Sequence, residues 1–329
     1  MSLPLKSDQE AIAQYEALTR RAGLVDLGHR TQIELAGGDR TTFLHNLCTA
    51  DIKRLPLGAG TEAFVTSVQG KTLAHVFVFA TPDTLVLDTV ADQGETLLKH
   101  LDHYLITEDV TLTDRSNERR ELLLAGPEAE AVLSKACDVE VGEPRLSHSL
   151  AEVAGQAVWV RRVDLTRPGG FLLSVPVAAA DAFTATLVES GAVACGLAAF
   201  EAARIEAGVP WFGKDITDAN LPQEVGRDAL AINFVKGCYL GQETVARIDA
   251  LGHVNKMLVG LRFSGSDVPP PGTALTSGDA TVGSVTSASY SPALSAPLAL
   301  GYVRRGHNDV GGRLTSDLGE VEIVALPLD

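Results

Sequence analysis

The sequence predicts an α+β fold with two related halves, followed by a small C-terminal antiparallel β-barrel. A pattern of strand, glycine turn and helix begins at Ile33 and again at Leu122, 89 residues later (122 − 33). Beyond about residue 256 the composition shifts to Gly, Pro, Ser and Thr. The 329 residues are enough for about two domains. We expect a body at 1–255, with halves at about 24–115 and 116–255, and a barrel at 256–329.

The first half begins with a helix. Ser7 and Glu10 have the spacing of a capping box, and Gly23 ends the helix that follows them. Asp39 is a candidate cap for a second helix, which carries Phe43, Leu44 and Leu47 on one face. Alternating apolar residues predict strands over 31–36, 62–68, 72–79 and 84–89, and a helix over about 92–105 closes the half.

The second half repeats this order. Aligning 33–48 with 122–137 pairs Gly37 with Gly126 and Cys48 with Cys137, among five identities in sixteen positions. Strands over 157–163 and 170–175 and a helix over 178–189 complete the copy. Two copies are too few for a solenoid, so we expect two halves packed face to face around a cleft.

The last part of the chain has the pattern of short antiparallel strands. Alternating segments at 258–263, 281–288 and 320–324 are separated by turn residues, with three consecutive prolines at 269–271. They predict a small barrel or sandwich that begins near Asn255–Lys256.

Charge and composition exclude several classes of function. The 27 Lys and Arg against 42 Asp and Glu give a net charge of −15, which opposes a nucleic-acid-coating or membrane-surface role. The longest uncharged run, 280–303, is rich in Ser and Thr and predicts strands, not a membrane helix. The N-terminus lacks a secretory signal, and the four cysteines are too far apart for a metal cage. We therefore expect a cytoplasmic protein that binds no metal.

The segment from 196 to 256 carries the candidate chemistry. A helix over 198–207, ended by Gly208, places Phe200 and Arg204 one turn apart on the same face. Arg204 has two interpretations, a surface cation near a helix C-terminus or an anchor for an anionic or carbonyl-rich ligand.

A second candidate is the sequence KGCYLGQE at 236–243. Its cysteine, Cys238, lies just ahead of a helix predicted over 242–251, and Lys236 is two residues away. A helix N-terminus and a nearby lysine both favour the thiolate, so Cys238 is either a reactive thiol or a structural cysteine in a tight turn.

These motifs resemble a known family. The sequences RIEAG (204–208), PWFGKDIT (210–217) and KGCYLGQE (236–243) are similar to those of the folate-binding YgfZ proteins. That family is a branch of the superfamily that contains the glycine-cleavage aminomethyltransferase, or T-protein. The segments GLVDL (23–27) and 37–51 and the barrel-like tail also match the superfamily layout.

The resemblance implies two ferredoxin-like halves and a barrel around a central channel that binds tetrahydrofolate. Arg204 then corresponds to the arginine that contacts folate, and Cys238 to the cysteine linked to iron–sulfur cluster maintenance and, through cluster-dependent enzymes, to tRNA modification. The other residues that we single out are Phe200, Trp211, Tyr239, Gln242 and Glu243 as folate contacts, Lys236 as the activator of the thiol, and Asp215, Gly237 and Gly241 as motif residues.

Two departures separate this chain from the aminomethyltransferases. Those enzymes carry a pterin-binding glutamate where this sequence has Leu172, and paired aspartates where it has Ala74 and His75. Leucine and alanine cannot replace carboxylates that bind a pterin or stabilise a developing cation.

We therefore expect a tetrahydrofolate-binding protein that assists iron–sulfur cluster assembly or repair and is not a conventional aminomethyltransferase. Its expected partners are folate and iron–sulfur assembly proteins or cluster-dependent enzymes, without direct nucleic-acid binding. The alternatives are a folate-dependent aminomethyltransferase and a non-enzymatic adaptor.

Overall fold

The computed structural model describes residues 9–328 and confirms the predicted α+β fold with a closed antiparallel barrel. Ser7, the predicted helix cap, lies outside the described residues. Among the described residues, no helix is long and apolar enough to cross a membrane.

Two β-sheets and their helices form the body of the protein. The first part of the chain contains α1 (Gln9–Arg20), β1 (Gly23–Asp26), β2 (Thr31–Ala36), α2 (Arg40–His45), β3 (Gly60–Thr66), β4 (Thr72–Ala80), β5 (Thr84–Thr89), α3 (Gly94–His103) and β6 (Thr111–Asp114). The second contains β7 (Arg119–Ala125), α4 (Ala129–Ala136), β8 (His148–Val153), β9 (Gln156–Val163), β10 (Gly170–Pro176), α5 (Val177–Glu189), β11 (Val193–Cys195), α6 (Leu197–Glu206), α7 (Asp228–Ala231) and α8 (Gln242–Leu251).

The internal duplication is visible in the structure. Gly37 and Gly126 follow equivalent strands, β2 and β7, and both have positive φ, +107° and +114°. A β-carbon at Gly37 would lie 2.1 Å from the carbonyl oxygen of Asp109, and one at Gly126 would lie 2.3 Å from that of Arg21. Only glycine fits either turn, which explains why both copies keep it.

One strand of the first part of the chain joins the sheet of the second part. β1 precedes β2 in the chain but pairs with β7, whereas β2 pairs with β5 and β6. The sheets therefore have the orders β3-β4-β5-β2-β6 and β11-β1-β7-β10-β9-β8. Every strand of the first sheet lies within residues 31–114, and β1 is the one described strand before residue 115 that belongs to the second sheet.

The predicted cap of α2 is wrong. Asp39 precedes the helix, but its side chain makes no capping hydrogen bond. Instead its Oδ2 accepts a hydrogen bond from the backbone N–H of Asp109, 2.9 Å away. A tertiary hydrogen bond between the start of α2 and the loop before β6 therefore takes the place of the predicted capping hydrogen bond.

The C-terminal strands close into a barrel in the order β12-β15-β14-β13-β16-β17. They are β12 (Lys256–Phe263), β13 (Ala274–Ser277), β14 (Ala280–Ser291), β15 (Ala296–Arg304), β16 (Arg313–Ser316) and β17 (Gly319–Val324). The barrel packs on α6 through β14. At this contact the buried Glu206 carboxylate accepts hydrogen bonds from Tyr15 of α1, at 2.6 Å, and from Ser291 of β14.

Candidate functional site

A narrow cleft beside β4 and β5 is lined by buried charged and aromatic side chains. Its enclosed space is small in this structure, about 20 Å³, which is room for about one water molecule. Strand alternation turns His75 and Phe77 of β4 toward it, while Ala74 packs into the apolar core on the other face. Residues 209–212, which follow α6, form the facing wall and include Trp211.

A buried carboxylate, Glu62 of β3, holds His75 in place. The Oε1 atom of Glu62 lies 2.6 Å from Nε2 of His75, and Glu62 also pairs with the guanidinium groups of Arg145 and Arg227. Burial would raise the pKa of Glu62, but hydrogen bonds from Arg227 and His75 hold it well below its usual range. Glu62 is therefore an ionised carboxylate whose negative charge is compensated by these three partners.

The imidazole of His75 is also fixed by aromatic contacts. It stacks on Phe64, with ring centroids 5.0 Å apart, and meets Phe77 edge-on at 6.2 Å. Its side chain is 9% exposed, and its Nδ1 atom makes no hydrogen bond to the described residues. His75 therefore presents one ring nitrogen for interaction with a ligand.

A second buried network crosses the space between the two sheets. Asp88 of β5 accepts hydrogen bonds from Arg30, at 2.6 Å, and from Arg161 of β9, at 3.0 Å. Gln32 and Glu121, which occupy equivalent positions 89 residues apart in the duplicated sequence, meet here in a hydrogen bond. Burial raises the pKa of Glu121 to about 7, although Arg161 opposes this shift.

The cleft lining supplies an aromatic ring and a hydrogen-bond donor, the kinds of group that contact a flat heterocycle. Arg30 is 5% exposed and lines the cleft, and its Nη1 atom is buried without a hydrogen-bond partner among the described residues. Trp211 adds an aromatic surface, and its ring centroid lies 5.3 Å from the guanidinium carbon of Arg30. An aromatic ring beside an unpaired donor is suited to a pterin, which has a π-face and acceptor atoms at its edge.

The guanidinium of Arg204 contacts protein groups and does not line the cleft, so its predicted contact with folate stays a prediction. The Arg204 side chain is fully buried, and its Nη1 donates to Asp215 at 2.9 Å and to the carbonyl oxygen of Val209 at 2.7 Å. Its Nη2 donates to Glu201 at 2.8 Å and to Ser287 of β14 at 3.2 Å. The N–H groups of the guanidinium already donate to acceptors of the protein. Arg204 therefore connects α6 to the loop that follows it and to the barrel.

Asp215 and Phe200 both contact Trp211, which lines the cleft. Asp215 is buried, and in addition to Arg204 it accepts hydrogen bonds from the backbone N–H of Trp211 and the hydroxyl groups of Thr286 and Ser287. Phe200 is 2% exposed and meets the Trp211 ring edge-on at 5.6 Å. Neither residue lines the cleft, so both act by positioning Trp211.

The Lys236 side chain is held by backbone carbonyl groups, and its predicted action on Cys238 stays a prediction. The lysine ammonium group is buried and donates hydrogen bonds to the carbonyl oxygens of His45 at 2.6 Å, Cys48 at 2.7 Å and Ala50 at 2.7 Å. Cys238 is exposed and precedes the first residue of α8, Gln242, by four positions. The helix begins at Gln242 as predicted, and the thiol is accessible, but the lysine side chain turns toward buried carbonyl oxygens.

The remaining motif residues surround this loop and do not line the cleft. Tyr239 is buried in an apolar cluster with Phe64, which links the loop to the ring stacked on His75. Gly241 has a positive φ of +80°. A β-carbon at this residue would lie 2.4 Å from the carbonyl oxygen of Ser67. Gln242 is partly buried at the start of α8, followed by the exposed Glu243. The sequence thus grouped residues that the structure divides between a cleft and a loop.

Sequence reasoning missed Glu62, Arg227, Arg145 and Arg30. A signal for Glu62 existed, because it is a charged residue at the head of the apolar run of β3. Arg145 and Arg227 lie 83 and 165 positions from Glu62, so only the fold could show that they converge on it.

Comparison with known proteins gives consistent matches along the chain. Residues 5–234 match the GCVT N-terminal domain, and residues 256–328 match the glycine cleavage T-protein C-terminal barrel domain. An aminomethyltransferase of Synechococcus elongatus is 28% identical over 331 residues, covering 98% of this chain and 88% of that protein. One of Rubrobacter xylanophilus is 30% identical over 294 residues, covering 88% and 78%.

The fold is also that of a solved structure. The glycine cleavage system aminomethyltransferase T from Bartonella henselae superposes with a TM-score of 0.87 at 22% identity, over 96% of this chain and 89% of that one. At this identity the similarity establishes the common fold.

Proposed function

Because the chain belongs to the glycine cleavage T-protein family, as its two domain matches establish, we propose that the cleft beside β4 widens to bind a reduced folate. The observation that carries this proposal is the pairing of the Trp211 ring with the unpartnered Nη1 of Arg30. Trp211 stacks on the pterin, and Arg30 donates a hydrogen bond to an acceptor atom on its edge.

Bound tetrahydrofolate supplies a carrier of one-carbon groups. The chain's own residues bind and orient it: Glu62 holds the imidazole of His75 by a hydrogen bond, and Phe64 supports the ring from one face. The Nδ1 atom of His75 then interacts with a polar atom of the ligand. Phe77 and the apolar residues of the cleft wall exclude water from the bound ring.

We propose further that the protein assists iron–sulfur cluster assembly or repair and is not a conventional aminomethyltransferase. The support is the KGCYLGQE sequence with its exposed Cys238, together with His75, where the resemblance described in the sequence analysis implies an aspartate in the aminomethyltransferases. Folate and iron–sulfur assembly proteins or cluster-dependent enzymes are the proposed partners.

Aminomethyl transfer is the second candidate, favoured by relatives of that name that match along nearly the whole chain. The carboxylate that lines the cleft is Asp88, and Arg30 and Arg161 already compensate its charge. Glu62, which holds His75 from behind, is compensated in the same way by Arg145 and Arg227. A compensated carboxylate stabilises a developing cation far less than a free one. Leu172, at the position of the pterin-binding glutamate, is buried in the apolar core.

Tryptophan fluorescence tests the folate proposal directly, because the chain has two tryptophans. Tetrahydrofolate should quench Trp211, and Trp211→Leu should weaken binding measured by calorimetry by roughly tenfold or more, since stacking on an aromatic ring contributes about 1–3 kcal/mol. Trp159→Phe is the matched control, because Trp159 lies on β9 and does not line the cleft. Equal affinity of the Trp211→Leu variant and the wild type would contradict the proposed site.

An activity assay separates the two candidates. The purified protein, supplied with tetrahydrofolate and an aminomethylated carrier protein, should show no turnover, whereas an ordinary enzyme would reach about 1–10³ per second. In parallel, Cys238→Ser should keep folate binding and lose complementation of a strain defective in cluster repair. Turnover at ordinary rates would establish the second candidate in place of the first.

A further inference from the structure

A cavity lies between the short helical turn Pro222–Val225, the helix α7 and the C-terminal end of α8. It encloses about 180 Å³, whereas one water molecule needs only about 10–15 Å³. None of the described residues that line this cavity also lines the cleft beside β4. It is therefore a separate site, which the proposed function does not use.

The side-chain amide of Gln223 turns its oxygen into this cavity. Gln223 is 4% exposed, and its Nε2 atom donates a hydrogen bond to the carbonyl oxygen of Val245 in α8 at 2.7 Å. Because a carbonyl oxygen only accepts hydrogen bonds, this contact fixes which end of the amide is nitrogen and which is oxygen. The Oε1 atom is buried without a hydrogen-bond partner among residues 9–328, and Gln223 lines the cavity. A buried acceptor of this kind is unfavourable unless a donor from outside the chain reaches it.

The carboxylate of Asp228, at the start of α7, is a second acceptor without a partner. Its Oδ1 atom is buried and makes no hydrogen bond within the described part of the chain, and Asp228 lines the same cavity. Burial and the nearby negative charge of Asp249, another lining residue, raise the pKa of Asp228 to about 6. A cation in the cavity offsets both effects, because it compensates the charge and donates to Oδ1.

The end of α8 and the start of the barrel complete the lining. Gly252 follows the last residue of α8 and lines the cavity, and the carbonyl groups at a helix C-terminus carry partial negative charge. The Nδ1 atom of His253 lies 2.9 Å from the carbonyl oxygen of Leu251, so in the neutral ring Nε2 is a further acceptor. Apolar side chains form the rest of the wall, namely those of Ile248, Val254 and Met257. The cavity thus combines acceptors, negative charge and apolar surface.

We propose that this cavity binds the ammonium group of a primary alkylamine, with its alkyl chain against the apolar wall. An ammonium group has three N–H donors around a compact charge. The acceptors come from three separate segments, which suits this group better than a planar guanidinium, whose donors pair best with two adjacent oxygens. The apolar wall favours an organic cation over a hydrated metal ion. The net charge of −15 also attracts amines that carry no carboxylate.

Binding of n-butylammonium chloride at pH 8 tests the site, with n-butanol as the uncharged ligand of the same chain length. Asp228 is ionised at this pH because its pKa is about 6. Calorimetry should give a dissociation constant for n-butylammonium on the order of 1 mM, which is within reach of a ligand of this size. n-Butanol should not bind. Asp228→Asn keeps the shape of the side chain but removes its charge, and should weaken n-butylammonium binding at least tenfold.

The stability of the variants keeps the test decisive. The pKa of Asp228 is higher in the folded protein than its ordinary value, so the ionised carboxylate destabilises the fold at pH 8. Asp228→Asn should therefore melt no lower than the wild type, and its loss of binding is not a loss of folding. Gln223→Met removes the second acceptor and should weaken binding as well.

Asp218→Asn is the matched control, because Asp218 is an exposed carboxylate that does not line the cavity. It should bind n-butylammonium as tightly as the wild type. Equal affinity of the wild type and Asp228→Asn, or equal binding of n-butanol and n-butylammonium, overturns the proposal. Binding of CaCl₂ in place of n-butylammonium, lost in Asp228→Asn, overturns it too and identifies a metal site.

Discussion

Arg204→Met should destabilise the protein strongly and independently of any ligand. The guanidinium is fully buried, and its ion pair with the equally buried Asp215 spans 2.9 Å. The substitution preserves much of the side-chain volume but leaves the Asp215 carboxylate without its charge partner. It also removes the donor to the carbonyl oxygen of Val209.

The size of the effect follows from burial. Removing one partner of a buried ion pair typically costs about 3–5 kcal/mol, because the remaining charge is left uncompensated. Hydroxyl groups of Thr286 and Ser287 still donate to Asp215, which places the expected loss toward the lower end of that range. Sequence reasoning by itself expects the opposite outcome, a loss of folate affinity with an unchanged melting temperature.

Chemical denaturation of the apo protein measures this loss in the free energy of unfolding. Lys214→Met is the matched control, because Lys214 is 49% exposed and pairs at 3.1 Å with Glu201, another partner of Arg204. A partly exposed pair of this kind contributes at most about 1 kcal/mol. Adding Asp215→Asn to Arg204→Met should recover part of the stability, since the unpaired charge is removed. If Arg204→Met unfolds like the wild type and tetrahydrofolate affinity alone falls, the structural interpretation of Arg204 is refuted.

Two further predictions concern the body of the protein. The raised pKa of Glu121, about 7, means that the folded state binds its proton more tightly than the unfolded state, so this residue's contribution to stability is present below about pH 4.5 and lost as pH rises through 7. Glu121→Gln should flatten that part of the profile in thermal melts from pH 5 to pH 8, and an unchanged slope would contradict it. Gly37→Ala should cost more than about 1 kcal/mol, because of its positive φ and the 2.1 Å approach to the carbonyl oxygen of Asp109. Gly28→Ala, which has positive φ but open space around it, should cost less in the same denaturation assay.

Local sequence patterns predicted most of the regular elements. Alternation of apolar residues placed β2 and β5 at their observed bounds and placed β4 within one residue, because a half-buried strand imposes a period of two on its side chains. The elements that were missed are short or at sheet edges: β6, β8 and β11 have few buried positions, and an edge strand leaves a weaker pattern.

The candidate site was only partly predictable. The aromatic Trp211 and the exposed Cys238 were found from their motifs, and the structure leaves both accessible to a ligand or a reagent. The roles given to Arg204 and Lys236 depended on where their charged ends point. Both ends turn inward, because buried carboxylate and carbonyl oxygens satisfy them there.

The sequence by itself determined the fold class, the duplicated strand, turn and helix, and the absence of carboxylates at positions 74 and 172, because residue identity and periodicity are local properties of the chain. Tertiary structure alone decided which charges meet. Glu62 joins Arg145 and Arg227 from 83 and 165 positions away, and His45 comes to lie under Gly237 from a distant helix. The physical reason is that an ion pair depends on distance and direction in space, which are set by how the two sheets and their connecting segments pack.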